Sequence, residues 1–449
     1  MDAAGSKLGI YISVPFCRSK CTYCNFASGV YPAADHARYV ERVIEDLAGA
    51  QAWTKGKRAE LDTVYLGGGT PSLLEPHLLK QVFSALHEEF SFDADAEITM
   101  ECAPGQVSDE TLEAMTDCGV NRVSLGVQSF VDREAQLSGR LHGRAIVEED
   151  LRRLRAAGIT NLNVDLIAGL AEQTFASWEE SLAALIDCGV PHASVYMFEV
   201  DEDSRLGREM LSGGARYHAG LVPTDDAMAR MYERAIERLG EAGLAQYEIS
   251  NFSRSGFYSR HNLRYWERRP YLGLGLDAAS ALHAIEENAQ CSGSVSRHES
   301  IRSNVDQSSV SGHEFTRAVS GEKMIGTLAP EGSCDNEFLL RSTTTDDLKA
   351  YLAGPQSVEI SWLTREQQHE EAWFLGLRLN AGVDVAAIER EFGSTAAAAA
   401  MEKVGQLVDA GLLSIDGNRV RLTARGRLLS NEVFQEFLEL TADAARQRA

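Results

Sequence analysis

Positive charge is scarce in this chain of 449 residues: 43 Lys and Arg stand against 66 Asp and Glu, a net charge of −23. That balance argues against a protein that coats nucleic acid or an anionic membrane, because both need a basic face. Long apolar runs are missing too, and none reaches the roughly 18–20 residues of a membrane span. The start, Met1-Asp2-Ala3-Ala4-Gly5-Ser6-Lys7, lacks the basic-then-apolar pattern of a secretory signal, so a cytoplasmic protein is expected. A second pair of closely spaced cysteines is also lacking. What is present is ample apolar content, 44 % hydrophobic, enough for a substantial core and too much for wholesale disorder. The length exceeds one average domain and suits two or three, or a barrel plus an appendage.

From residue 8 to 283, short apolar runs alternate with amphipathic stretches. Leu8–Val14, Thr63–Leu66, Ile98–Glu101, Arg122–Val127, Leu162–Ile167 and Ala193–Val200 read as buried strands. His36–Leu47 and Ala227–Leu239 carry apolar residues at helical spacing. The alternation predicts an α/β fold of parallel strands, a (β/α) barrel, complete or partial, over 1–283, with a doubly wound open sheet as the alternative. In either, functional residues gather beyond the C-terminal strand ends. Residues 284–336 break the pattern with ten serines and read as an exposed, mobile, low-complexity insertion. Residues 337–449 resume order. Leu363–Leu379, Val385–Phe392 and Ala396–Ala410 read as helices, and Gly411–Thr423 as a hairpin turning at Asp416-Gly417-Asn418, a small helical, winged-helix-like domain.

Three of the eight cysteines crowd into eight residues as C-x3-C-x2-C: Cys17, Cys21 and Cys24. In a long, core-rich, cytosolic-looking chain thiols stay reduced. Three thiolates on one loop can hold three irons of a [4Fe–4S] cube and leave the fourth open. Zinc is the alternative, but structural zinc wants four ligands, commonly two C-x2-C pairs. Farther on, Gly67-Gly68-Gly69-Thr70 follows a strand, where glycines admit close backbone approach. Glu101 closes the next strand, and Arg140 and Asp165 follow at later ones; read alone these are solvated ends, caps or surface ion pairs. Glu101 and Asp165 are expected at C-terminal strand ends facing the cysteines.

C-x3-C-x2-C with Tyr23 before the last cysteine resembles the signature of the radical SAM superfamily. The resemblance implies a [4Fe–4S] cluster on Cys17, Cys21 and Cys24 whose open iron is chelated by S-adenosylmethionine (SAM), reduced by a low-potential electron donor. Ser124–Phe130, Gly139–His142, Asn163–Ile167, Tyr247–Phe252, His261–Trp266 and Gly273–Gly275 are similar to the coproporphyrinogen III oxidase-like branch, as is Leu422–Arg427. Carried over by motif, Tyr11, Tyr23, Gly68, Gly69, Thr70, Glu101, Gln128, Arg140 and Asp165 would contact SAM. Where the oxidase has a further cysteine this chain has Phe26, and His261-Asn262-Leu263-Arg264-Tyr265-Trp266 resembles the heme chaperones of the branch. That implies heme as a third cofactor, a heme-accepting protein as partner, and no coproporphyrinogen oxidase activity. His261 is then a candidate heme ligand, or else an imidazole bonded within a packed aromatic turn. The branch's E-x-N-P is replaced by Glu101-Cys102-Ala103-Pro104. The other readings are the oxidase itself and a zinc-stabilised binding module.

Overall fold

The computed structural model describes residues 7–50, 58–284, 338–354 and 358–438. The 284–336 insertion, apart from Ala284, lies outside the described residues. Six parallel strands follow in sequence order: β1 (Leu8–Val14), β2 (Glu60–Gly68), β3 (Ser91–Cys102), β4 (Arg122–Gln128), β5 (Asn161–Ala168) and β6 (His192–Met197). Helices α1 (Ala33–Gly49), α2 (Pro76–Glu89), α3 (Asp109–Asp117), α4 (Asp132–Leu137), α5 (Arg144–Ala156) and α6 (Phe175–Asp187) make the crossovers. After α7 (Arg205–Leu211) and α8 (Asp225–Glu241), the short β7 (Ala245–Gln246) and β8 (Asn251–Ser253) extend the sheet antiparallel beyond β6. Helix α9 (Arg260–Trp266) leads to β9 (Tyr271–Leu274), which pairs parallel with the other side of β1. Antiparallel β10 (Ala279–Ala284), β11 (Phe338–Thr343) and β12 (Glu359–Leu363) complete twelve strands. Strand order runs from β12 to β7 without closing, and β1 to β6 show no reversal, so the wall is a partial barrel rather than a doubly wound sheet.

Alternation inside the strands explains the wall. Ile10, Ile12, Val64, Leu66, Ile98, Met100, Val123, Leu125, Leu162, Val164, Ala193 and Val195 are buried in the main apolar core. The residues between them are polar: Tyr11 and Ser13, Thr63 and Tyr65, Glu97, Thr99 and Glu101, Arg122 and Ser124, Asn161, Asn163 and Asp165, His192 and Ser194. A strand's side chains alternate between its faces. One face of this wall therefore packs against helices, and the other bounds a polar lumen. On the outer side, α1 buries His36, Tyr39, Val40, Val43 and Leu47, one stripe of a 3.6-residue period.

A second core forms around Trp373, Phe374, Val404, Val420, Val433 and Phe437, with Trp373 stacked on Phe437 at 5.2 Å. It joins helices Arg365–Arg378, Val385–Phe392 and Ser394–Asp409 to a three-stranded wing of β13 (Val383–Asp384), β14 (Leu413–Asp416) and β15 (Arg419–Leu422). Some boundaries differ from the sequence reading. The first of these helices begins at Arg365, because Leu363 ends β12 and Thr364 forms a capping box with Gln367. Strand β6 stops at Met197; the Asp201 carboxylate then accepts from the Asp203 and Ser204 amides and turns the chain. Strand β2 runs on to Gly68, so two of the three glycines lie inside it.

Candidate functional site

The cysteine loop leaves the C-terminal end of β1 and is tied to the scaffold by main-chain hydrogen bonds. Cys17 N–H donates to Gly29 O at 2.8 Å, Thr22 N–H to Ser138 O at 3.0 Å, and Leu206 N–H to Thr22 O at 2.8 Å. Behind it stands Gly139, at φ +93°, where a Cβ would come within 3.2 Å of Cys21 Cα. Glycine meets both demands, the left-handed backbone and the close approach. Gly69 N–H and Thr70 N–H donate to Val14 O and Phe16 O, each at 2.8 Å. Part of the glycine run thus braces the loop instead of offering amides to a ligand.

Cys17, Cys21 and Cys24 are free thiols, each half-buried. Burial pushes the Cys17 and Cys24 thiols up. Cys102 and Cys118, buried in the core, are pushed up to about 12 and about 11 by burial. Among the described residues no three His, Cys, Asp or Glu converge as ligands of one metal ion. A cube is a different case, because its cysteines each bind a different iron.

Arg140 connects the loop to the lumen. Its Nη2 donates to Tyr23 Oη at 2.8 Å. Burial works against its charge, but the Tyr23 hydroxyl and the Cys21 and Cys24 thiols outweigh it and hold the guanidinium above its ordinary value. Across Gly126, Arg140 Nε and Gln128 Oε1 are buried without a hydrogen-bond partner. Gln128 also holds φ +70°, a costly backbone for a residue with a side chain. Glu101 accepts from Tyr65 Oη at 2.8 Å, and burial raises its carboxyl to about 7. Asp165 lies within β5; Asn163 Nδ2 donates to it at 2.7 Å and Ser124 Oγ at 3.1 Å. Burial raises the Asp165 carboxyl although those donors oppose it. Glu101 feels the charges of both Asp165 and Arg140. Tyr11 is buried with its ring 6.0 Å from that of Tyr65, and its hydroxyl lies 3.5 Å from where a Gly68 Cβ would stand. Tyr11, Gly68, Glu101, Gln128, Arg140 and Asp165 thus form one group that Arg140 links to the cysteine loop; Glu101 stands near the end of β3 as expected, but Asp165 lies mid-strand, three residues before β5 ends.

His261 lies directly beneath this group, its ring 5.2 Å from that of Tyr65 and 6.4 Å from that of Tyr11. It is wholly buried toward the N-terminal floor, with Nδ1 3.0 Å from Thr63 Oγ1 and Nε2 2.8 Å from Tyr265 Oη. Its amide and that of Arg260 donate to Glu97. Both ring nitrogens are thus engaged by neighbours, an arrangement in keeping with the packed aromatic turn that was the alternative to a heme ligand. The sequence reading also passed over Tyr65, Asn163, His192 and Ser194. Their signal was the polar residue at every second strand position.

Residues 11–185 match the profile of the radical SAM superfamily, and 363–429 that of the HemN C-terminal domain. The structure resembles that of coproporphyrinogen III oxidase (HemN) from Escherichia coli, with a TM-score of 0.73 and 20 % identity, covering 96 % of this chain and 90 % of that one. Partial barrel and cysteine loop together define a radical SAM protein. Heme chaperone HemW of Mycobacterium tuberculosis is 30 % identical over 97 % of this chain and 95 % of its own length. That of Lactococcus lactis is 29 % identical over 95 % and 96 %. The chain belongs to the HemW family. No helix among the described residues is long and apolar enough to cross a membrane.

Proposed function

We propose that this chain is a heme chaperone: it carries a [4Fe–4S] cluster on Cys17, Cys21 and Cys24, binds SAM and heme, and passes heme to an acceptor protein. The observation that carries the cofactor part is the pairing of three free thiols on one braced loop with unpartnered Arg140 Nε and Gln128 Oε1 beside it. An orphaned buried polar atom is costly unless a ligand satisfies it. In this reading Arg140 takes the SAM carboxylate, a match of fork to carboxylate. Asp165 and Glu101 accept from ribose hydroxyls or the ammonium, and Gly68, Gly69, Thr70 and Gln128 with Tyr11 and Tyr23 shape the pocket. Bound at such a cluster and reduced by a low-potential donor, SAM supplies a 5′-deoxyadenosyl radical.

The choice of chaperone over oxidase rests on Phe26, 39 % exposed, where the oxidase has a cysteine, and on the full-length likeness to proteins named heme chaperones. After anaerobic reconstitution, iron and acid-labile sulfide should be found, and Ser at position 17, 21 or 24 should abolish the cluster's visible absorbance while Cys102→Ser leaves it. Heme should give a stable one-to-one Soret band. Coproporphyrinogen III with SAM and a reductant should yield no more product than enzyme. Excess protoporphyrinogen would establish the oxidase instead.

A further inference from the structure

Two motifs flank the lumen without touching the pocket just described: Tyr247-Glu248-Ile249-Ser250-Asn251-Phe252, and the turn at Ser259 that starts α9. They meet at one hydroxyl. Ser259 N–H donates to Tyr247 Oη at 3.1 Å, and Tyr247 Oη lies 2.9 Å from His192 Nε2. His192 Nδ1 is 2.6 Å from Asn163 Oδ1. Asn163 Nδ2 in turn faces Asp165 Oδ1 at 2.7 Å and Ser124 Oγ at 2.6 Å, and Ser124 donates to Asp165 Oδ2.

The donor directions follow from chemistry. An ionised Asp165 only accepts, so the amide nitrogen of Asn163 faces it and the amide oxygen faces His192. His192 Nδ1 must then carry the proton. A neutral imidazole has one donor and one acceptor, so Nε2 accepts from the Tyr247 hydroxyl, whose oxygen accepts from Ser259 N–H. His192 is wholly buried, and burial with the nearby Arg122 charge keeps it neutral. Every link points the same way, toward the carboxylate.

We infer that His192 and Tyr247 are positioning residues: through Asn163 they fix the orientation of Asp165, and so set how tightly the lumen grips the adenosyl part of SAM. This rests on the reading that Asp165 contacts SAM. It resembles the outer partners that orient metal ligands, whose loss typically costs about 10–100-fold in affinity.

The test uses the cluster-reconstituted full chain under anaerobic conditions and S-adenosylhomocysteine as an inert probe, with affinity read by calorimetry. Asp165→Asn should weaken binding about tenfold or more, and His192→Leu and Tyr247→Phe about three- to tenfold, the range of one hydrogen bond or less. His192→Asn keeps an N–H toward Asn163 and should bind closer to the parent than His192→Leu does. In ¹⁵N spectra the His192 proton should sit on Nδ1. If Asp165→Asn weakens the probe but Tyr247→Phe does not, or if His192→Asn is as poor as His192→Leu, the positioning role is wrong. A proton on Nε2 overturns the donor directions. If Asp165→Asn itself binds normally, the SAM contact is wrong and the relay has nothing to aim. Should His192→Leu fail to fold, Tyr247→Phe, which keeps its ring, decides alone.

Discussion

Two arginines in one barrel show the difference between its floor and its mouth. Arg264 on the floor is wholly buried and saturated: it pairs with Asp62 and donates to Lys7 O at 3.0 Å, Pro270 O at 2.7 Å and Thr63 Oγ1 at 3.3 Å. Even so, burial pushes it down to about 10. Arg140 at the mouth has Tyr23 as a partner and an Nε with none. Each nitrogen of the first is bonded within the protein, whereas the second has a nitrogen left over. An unpartnered Nε recurs at other arginines, Arg122 and Arg378 among them, so what sets Arg140 apart is its place between the cysteine loop and the Glu101 and Asp165 carboxyls.

The comparison breaks first at the floor. Arg264→Met strands Asp62, which keeps only Arg269, and should cost about 3–5 kcal/mol in denaturant unfolding, enough to leave little folded protein. Gly9→Ala tests the same spot from the other side. Its Cβ would stand 2.5 Å from Arg264 Cδ, so a loss of about 1–3 kcal/mol is expected from overpacking. Arg140→Met should separate the two ends. Only the Tyr23 contact is lost, so the stability change should stay near 1 kcal/mol, while S-adenosylhomocysteine affinity falls about tenfold or more. A stability loss as large as that of Arg264→Met would erase the distinction.

A further expected effect is a pH dependence. Glu101 titrates near 7 in the fold against 4.5 in the open chain, because burial disfavours its charge. The folded state therefore holds the proton more tightly than the unfolded one. Its contribution to stability is complete below the unfolded value and is lost as pH rises through about 7. Glu101→Gln cannot ionise, so without ligand its melting temperature should gain on the parent's between about pH 5 and pH 8. An unchanged gap would mean that Glu101 is better solvated than its surroundings suggest.

The mouth was easier to read from sequence than the floor, and the reason is distance along the chain. Three cysteines within eight residues carry their geometry locally, and apolar runs located β1 to β6, though not β9, which also pairs parallel with β1. The lumen is assembled from strands about thirty residues apart, so no window contains both Asp165 and His192, or both Thr63 and His261. Thr63, Ser124 and Ser194 also read as minor interruptions of apolar runs, when each marks the other face of its strand. His261 is a related case: its motif shows that an imidazole is wanted, but its depth depends on its contact with Thr63 of β2 some two hundred residues earlier. The use of Gly69 N–H on Val14 was hidden in the same way, since only the parallel register of β1 and β2 brings the two together.

The way the cysteine loop is held bears on how such a protein is made and kept. Its amides and carbonyls are bonded to Ser138, Gly29 and Leu206, so polypeptide contacts define the loop's path. Many small metal-bound domains differ, because there the metal's own binding energy is what folds the chain. Here main-chain bonds already set the path of the loop, so a group taken up by its thiols would meet a frame already built.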